Sequence, residues 1–584
     1  MVIFDGERLC VQLTRGKDYK VVLQLAKESE YSEYLQDIGV YCLPPTRKNA
    51  RTLFNAGYPF DDSAKIFLSE KPKKENNQDK IEDEIDFKSI DEKYELFPFQ
   101  KDGVKQMLSM SSNILLADEM GLGKTPQASK FLKLKENSLP ALVVCPASLK
   151  QNWQNEIKKW AGLNSYILNG KTPEYFSEEF IEKYPVFIIN YDILGNENKA
   201  EKEAELLRRK KAKEAGIPFR KKTVPVYGWC DELSKIPFKT IIADEVQYIA
   251  EPETIRARAV NQICSAHKRS KKLFISGTPY ETRTSQFFTC LHILDPIQFS
   301  NRYKFLMRYC NPIKTYFGWK FDGLSNAEEL HSMISKFMIR RLKKDVLKEL
   351  PPKIRAVVPM NVTPAERAKY DQIDDQFEQD ILSGKKSKKE QLGHIAELKK
   401  GAFEAKQKAV IQWIKDYLEL QEKKLVVFIY HHSAYDSLMQ EFGKHVVGIT
   451  GETPADKRQD IVDKFQNDEN VWLFIGQIKA SGVGLTLTKA RATCFVEFGS
   501  TAPQHEQAED RVHRIGQEAD SVMAYYLILD NSIENDIMNT LERRNKDLKQ
   551  VLNNESEASL FSTDGDMNEA ILSQYKKRKN IQKN

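Results

Sequence analysis

The chain has 584 residues, 41% hydrophobic and 29% charged, a globular balance with apolar material for about three or four domains. Its 89 basic and 83 acidic residues leave a formal net charge of only +6, which identifies no polyanionic partner, so any basic footprint must be a local groove. The eight cysteines are scattered without a CxxC pair, no apolar run approaches the roughly 18 residues of a membrane span, and Asp5, Glu7 and Arg8 follow Ile3 and Phe4 too closely for a cleavable signal; these features argue against a zinc module, a membrane protein and a secreted one, and for a soluble intracellular chain.

Residues 1–70 read as a small β-rich accessory module, with strands predicted at 2–4, 9–13 and 19–25 and a helix over 47–56 stopped by Gly57. Residues 71–93, rich in Lys, Glu, Asp and Asn, read as a flexible linker. From 94 to 290 short apolar runs recur at 114–117, 141–145, 186–189, 240–243 and 273–275. A second set lies in 421–550, at 425–430, 446–449, 471–475, 494–498 and 523–529. Continuous apolar runs followed by helical stretches are the pattern of buried parallel strands, so the fold class is α/β with two lobes, each on a parallel sheet. The first lobe carries a charged insertion at 196–222, centred on Arg208, Arg209, Lys210 and Lys211 and read as a solvated helix. Residues 291–420 read as helical insertions and an inter-lobe linker, with a turn-rich stretch at 311–323. In the second lobe Thr453 is predicted to cap a helix opened by Pro454, with Ile461, Val462 and Phe465 on its apolar face. The lobe ends in a trailing helix, and 551–584 reads as a frayed polar tail.

Three motifs carry chemistry. Asp118-Glu119-Met120-Gly121-Leu122-Gly123-Lys124-Thr125 lies between a predicted strand and a predicted helix. There Gly121 and Gly123 let backbone N–H groups approach phosphates, Lys124 reaches the β- and γ-phosphates, and Thr125 ligates Mg²⁺. Asp244 and Glu245 end the apolar run 240–243; the first suits a magnesium shell and the second the polarisation of an attacking water. Arg511 and Arg514, three apart, share a face if helical, and such a pair can neutralise a γ-phosphate from across a cleft.

In this order the motifs resemble helicase superfamily two, and within it the Swi/Snf branch, over residues 94–550. Leu96-Phe97-Pro98-Phe99-Gln100 resembles the family's adenine-reading segment, with Gln100 on the base, and Asp118 is the residue the family carries at the head of its phosphate loop. The run 144–150, followed by Trp153, resembles the first DNA-contacting motif, and Asn190-Tyr191-Asp192 the next. Ser276-Gly277-Thr278-Pro279 resembles the segment coupling hydrolysis to lobe motion. Arg340-Arg341 with Lys343, Asp345-Val346 and Leu350-Pro351 marks this branch; Gly451 with Arg458, the run 482–486, and Gln517 after Arg514-Ile515-Gly516 match second-lobe motifs. Arg308-Tyr309-Cys310, Gly318-Trp319, Gly323 and Ser325-Asn326 resemble the HARP-type annealing helicases. Two departures stand out: Gln247 where the family has His, and Ser500-Thr501-Ala502-Pro503 where it has Trp-Asn-Pro.

The resemblance implies two RecA-like lobes closing on ATP and Mg²⁺. It implies nucleotide contacts from Gln100, Asp118, Gly121, Gly123, Lys124, Thr125 and Gln517, with metal on Thr125 and Asp244. It also implies catalysis by Lys124, Asp244, Glu245, Arg511 and Arg514, coupling through Gln247, Ser276, Thr278 and Gly484, and backbone contacts from Ser148, Lys150 and Thr486. The expected partner is double-stranded or forked DNA, with a DNA-bound protein as a further partner, and the motor is expected to be a monomer. Rival readings are a strand-separating helicase, a remodeller that displaces protein from DNA, and an ATP-dependent clamp; the last would need loss of Glu245 or Arg514, and both are present.

Overall fold

A computed structural model of the protein describes residues 2–579 apart from 5–8, 13–18, 29–32, 36–39, 45, 57, 70–84, 216, 218–223, 281–282, 316–317, 322, 384–387, 422–423, 455–456, 479–484, 500 and 554–566. It divides into two units, Met1–Asp86 and Phe87–Asn584.

In the first unit, strands Val2–Phe4, Leu9–Gln12, Val40–Leu43 and Glu33–Leu35 form an antiparallel sheet in that order. One face presents Val2, Leu9, Val11 and Leu43 to helices Tyr19–Glu28, Arg47–Asn55 and Asp62–Ser69, whose Val22, Leu25, Ala50, Leu53 and Ala64 complete the core. Residues 19–25 are therefore helix rather than the predicted strand. Val22 and Leu25, three apart, reach the core from one helical face, and a seven-residue window broken by Lys20 and Gln24 does not separate period 2 from period 3.6. Thr46 caps the second helix by accepting from the Asn49 N–H at 3.1 Å. The predicted stop at Gly57 and most of the predicted linker lie outside the described residues.

The second unit is α/β and holds two sheets in which every strand pair is parallel. The first has seven strands in the order Met338–Ile339, Ile114–Leu116, Lys271–Ile275, Thr240–Asp244, Ala141–Cys145, Val186–Asn190 and Ser165–Ile167. The second has six, in the order Lys353–Pro359, Val522–Ile528, Ala492–Phe495, Leu425–Ile429, Leu473–Gln477 and Val446–Ile449. The central strands are buried along their whole length, as apolar runs covered on both faces must be.

The stretch read as inter-lobe insertion supplies long helices, Pro364–Ser383 and Lys388–Gln421, but also one edge strand to each sheet, Met338–Ile339 and Lys353–Pro359. It is thus partly integral to both lobes. The turn-rich segment is a hairpin, Pro312–Thr315 with Gly318–Phe321. The charged insertion is the exposed helix Lys199–Glu214, rooted on the strand pair Asn196–Glu197 and Val226–Tyr227.

In the second lobe the described helix is Arg458–Asn467, with Val462 and Phe465 buried as expected, and the Thr453 hydroxyl accepts from the Thr450 N–H at 3.0 Å, while residues 455–456, where the predicted helix would open, lie outside the described residues. One further expectation is corrected: the tail is not uniformly frayed. Val551 and Leu552, ending helix Ile533–Asn553, are buried in the first lobe's core, and helix Met567–Arg578 buries Ile571, Leu572 and Tyr575 against the second. Few apolar residues stand in that polar window, and the surfaces that receive them lie far away in sequence. Among the described residues no helix is long and apolar enough to cross a membrane.

Candidate nucleotide cleft between the two sheets

Strand Ile114–Leu116 delivers the glycine-rich loop to the start of helix Lys124–Leu134. Gly121 and Gly123 have φ of +81° and +71°, a region L side chains rarely adopt, and a Cβ on Gly123 would collide with Gln100 Nε2. The loop is held from below. Gln100 Nε2 donates to the Leu122 carbonyl at 3.0 Å, and its Oε1 accepts from the Phe97 N–H at 3.0 Å. Asp118 is fully buried and accepts from Gln127 Nε2 (3.0 Å), the Arg341 N–H (3.1 Å) and Arg341 Nε (2.9 Å), with a second guanidinium nitrogen on its other oxygen. Both residues, expected on the nucleotide, are directed in this structure at the loop's own frame. Lys124 Nζ donates to the Asp118 and Glu119 carbonyls at 2.8 and 3.3 Å. Burial pushes its pKa down against the opposing charges of Glu245, Asp118 and Asp244. Thr125 is half-buried one residue into the helix.

Asp244 ends the buried strand Thr240–Asp244. Its Oδ1 accepts from the Glu245 N–H at 3.0 Å and its Oδ2 from the Trp153 indole at 2.8 Å, while the Tyr191 hydroxyl donates to its carbonyl at 2.7 Å. Burial, then the charge of Glu245, raise the Asp244 carboxyl to about 7. Glu245 has φ +56°, a strained backbone for a residue with a side chain. The turn carries Gln247 back so that its Nε2 donates to Glu245 at 2.8 Å and its Oε1 accepts from Ser276 at 2.8 Å; Ser276 in turn accepts from the Thr278 N–H at 3.1 Å. The three residues expected to couple hydrolysis to motion thus form one chain ending on Glu245. Gly484 lies outside the described residues.

Residues 340–355 cross from the first sheet's edge strand to the second's. Arg340 donates to the Ala117 and Gly277 carbonyls at 2.6 and 3.1 Å. The Lys343 N–H donates to Glu119 at 2.7 Å, and its Nζ lies 2.8 Å from Asp510 and donates to the His513 carbonyl at 2.9 Å. Lys353 reaches Asp510 at 3.1 Å and Glu509 at 2.8 Å, and Arg355 grips both Glu509 oxygens at 2.7 Å. Burial pushes both carboxylates up, but Lys353 and Arg355 hold Glu509 at about 2, and Lys343 with Lys353 holds Asp510 well below its ordinary range.

That capture ends helix Ala502–Glu509, so Arg511 and Arg514 stand on a turn rather than on the expected helix. They still converge: both donate to the Leu485 carbonyl, at 3.4 and 3.2 Å, and Arg514 also to Thr486 Oγ1 at 3.1 Å. Burial, then the neighbouring Arg514, lower Arg511 to about 10, with Asp510 and Glu245 opposing. Arg514 Cγ would lie 3.8 Å from a Cβ on Gly121. Lys124, Asp244, Glu245, Arg511 and Arg514 therefore share one buried cleft between the sheets.

The remaining predicted residues are dispersed. Gln517 spends its amide on the Ala490 and Val512 carbonyls and the Ala519 N–H (2.9, 3.0 and 3.0 Å), inside the second lobe. Ser148 is exposed, and Lys150 Nζ donates to Leu168 O at 3.1 Å and Asn169 Oδ1 at 2.6 Å. Thr486, expected beside nucleic acid, is bonded to Arg514. Sequence reasoning assigned no role here to Trp153, Tyr191, Arg341 and Lys343. All four lie in motifs it singled out, but which buried partner each finds is a tertiary fact.

A model described as "SNF2-related domain" matches residues 99–424, and one described as "Helicase conserved C-terminal domain" matches 405–516. The chain is 31% identical over 493 residues to "DNA annealing helicase and endonuclease ZRANB3" of Bos taurus, covering 83% of this chain and 43% of that protein. It is 31% identical over 464 residues to "SWI/SNF-related matrix-associated actin-dependent regulator of chromatin subfamily A-like protein 1 homolog" of Caenorhabditis elegans, covering 78% and 62%. The chain thus spans less than half the length of the ZRANB3 relative. Among solved structures it is similar to "Sulfolobus solfataricus SWI2/SNF2 ATPase core in complex with dsDNA", at TM-score 0.35 and 23% identity over 82% of this chain and 99% of that one. With the SNF2-related model running from within the first helix of the first lobe to the threshold of the second lobe's central strand, the chain belongs to the SNF2-related family.

Proposed function

We propose that the chain is an ATP-driven, double-stranded DNA translocase of the Swi/Snf type, acting inside the cell in fork remodelling or strand annealing. The observation that carries the reading is the convergence of Lys124, Asp244 and Glu245 from one sheet with Arg511 and Arg514 from the other. The finer assignment to forks and annealing rests on the likeness to the ZRANB3 relative.

The residues fit ATP with Mg²⁺. Left-handed glycines open the loop backbone to phosphate oxygens, and Lys124 opens the helix whose N-terminal N–H groups face the same way. The Thr125 hydroxyl and the Asp244 carboxylate are hard oxygen donors, few in number, as a cation that keeps waters and phosphate oxygens requires. Bound Mg²⁺ would supply charge neutralisation to the phosphates. Lys124 binds the β- and γ-phosphates, Glu245 orients the attacking water and accepts its proton, and Arg511 and Arg514 stabilise the charge spreading on the γ-phosphoryl oxygens. The Gln247–Ser276–Thr278 chain ties Glu245 to the segment expected to couple hydrolysis to lobe motion. Ser148 and Lys150 meet the duplex backbone, so sequence preference is weak and binding falls steeply with salt.

ATP hydrolysis by the wild-type chain is expected to rise at least about tenfold with duplex or forked DNA over no nucleic acid, measured by phosphate release. Stimulation by RNA alone, or by no nucleic acid, would sink the reading. Trp153→Phe keeps a ring in place of the indole but deletes the donor to Asp244. It is expected to lower kcat about tenfold, the scale of a hydrogen bond to a charged group, with KM for ATP changed less than about twofold. An unchanged kcat would mean that the backbone alone orients Asp244.

A further inference from the structure

The motif Arg308-Tyr309-Cys310, Gly318-Trp319, Gly323, Ser325-Asn326 takes no part in the cleft. Its residues divide into two groups. The first builds a root. Cys310 and Tyr309 are buried in the first lobe's core. The Arg308 carbonyl accepts from Ser325 Oγ at 2.8 Å and Asn326 Nδ2 at 2.7 Å, and Ser325 Oγ accepts from the Asn311 N–H at 3.1 Å. Glu329 accepts from the Tyr309 hydroxyl at 2.7 Å and pairs with the Arg308 guanidinium. Asn311 has φ +43°, and a Cβ on Gly323 would come 2.8 Å from Asn311 Cβ, so the two ends of the ribbon close against each other only with glycine there.

The second group is what the root holds out. Strands Pro312–Thr315 and Gly318–Phe321 pair antiparallel, with Lys314 opposite Trp319 and Ile313 opposite Lys320. Gly318, at φ +121°, and the Thr315 hydroxyl donating to its carbonyl at 2.7 Å close the turn end. Lys314, Trp319 and Lys320 are all exposed, Trp319 by 43%, and residues 312–321 contain no acidic side chain. An indole half open to water gives the core little. On a ribbon pinned this firmly it is a presented ring, with an ammonium group beside it on the same face and another on the opposite one.

We infer that this hairpin is a base-stacking element: Trp319 stacks on an unpaired or terminal base where a duplex opens, and Lys314 and Lys320 meet the adjoining phosphates. Positive charge interleaved with an exposed ring is the chemistry that holds single-stranded nucleic acid. The inference rests on the proposed translocase function and adds to it the junction as preferred substrate.

The test uses the full chain, a fork with 2-aminopurine at the junction base of one arm, and a plain duplex of the same length. Wild type is expected to change the 2-aminopurine fluorescence on binding and to prefer the fork. Trp319→Ala is expected to abolish the change and to weaken fork binding about 5- to 100-fold, the range of one base–aromatic stack, with plain-duplex affinity within twofold of wild type. Trp319→Phe should recover part of both. Lys314→Ala and Lys320→Ala should each lower the salt slope of fork binding by about one. An unaltered fork signal in Trp319→Ala, or equal losses on fork and duplex, overturns the stacking role. A Trp319→Ala protein that differs only in its sedimentation assigns the hairpin to contact between copies and also overturns it. If duplex fails to stimulate wild-type hydrolysis, the translocase reading fails first, and that is read from the wild-type arm alone.

Discussion

Glu245→Gln is expected to reduce ATP hydrolysis by about 10²- to 10⁴-fold, the span general-base catalysis contributes, while leaving nucleotide binding intact. Glu245 places a carboxylate in the cleft beside Asp244, and its strained backbone, φ +56°, persists because the surroundings hold it: the Asp244 carboxylate accepts from its N–H and the Gln247 amide donates to its side chain. An amide at 245 keeps the size and loses the proton acceptor. Lys124→Ala should fail differently. It removes the ammonium that answers Asp244, Glu245 and the incoming phosphates, so binding itself should collapse. Single-turnover hydrolysis beside binding of a fluorescent ATP analogue separates the two. More than a tenth of wild-type turnover in Glu245→Gln would move the base to another residue. Gln247→Ala, one hydrogen bond further out, should cost less in basal rate and more in coupling, because it cuts the link from Glu245 to Ser276.

The central strands and the phosphate-loop and Asp244-Glu245 motifs were legible in the sequence for one reason: a buried parallel strand leaves a continuous apolar run, and these two motifs sit at the carboxyl end of such runs, where the loops of an α/β sheet face ligands. Lys124, Asp244 and Glu245 are read that way. What escaped depends on partners far off in the chain. Nothing near Asp118 announces that Arg341, 223 residues later, will take its carboxylate. Nothing near Trp153 announces Asp244, 91 residues on. Helix periodicity suggested a shared helical face for Arg511 and Arg514, yet the turn prevails because Lys343, Lys353 and Arg355 seize Glu509 and Asp510 just before them. The helix over 19–28 and the docked helix over 567–578 were missed for the opposite reason: their local patterns are ambiguous or polar, and the apolar surface they cover is supplied by other segments.

Arg514→Ala is expected to lower duplex-stimulated kcat by about 10³-fold or more, as removal of a transition-state arginine does, and Arg511→Ala by a similar order, with ATP affinity affected far less than rate. The sharper test of how these arginines are positioned is Asp510→Ala. Asp510 is buried between Lys343, which also donates to Glu119 in the phosphate loop, and Lys353, which opens the second sheet. Removing the carboxylate leaves both ammonium groups buried, Lys353 with Glu509 as its remaining carboxylate and Lys343 with none within ion-pair reach among the described residues, a change that typically destabilises by about 3–5 kcal/mol. It also frees the turn that carries Arg511. Asp510→Ala should therefore lower the melting temperature and lose hydrolysis together. Lys343→Met, which removes the cation while roughly keeping its volume, leaves Asp510 paired with Lys353 and should spare the melting temperature while still costing rate, since only the contact between the phosphate loop and the arginine turn is cut. Thermal denaturation beside steady-state hydrolysis distinguishes the two. A Lys343→Met protein with wild-type kcat would show that the arginines are held by the second lobe alone, through Leu485 and Thr486, and that the lobe-to-lobe lysine serves folding rather than the alignment of the cleft.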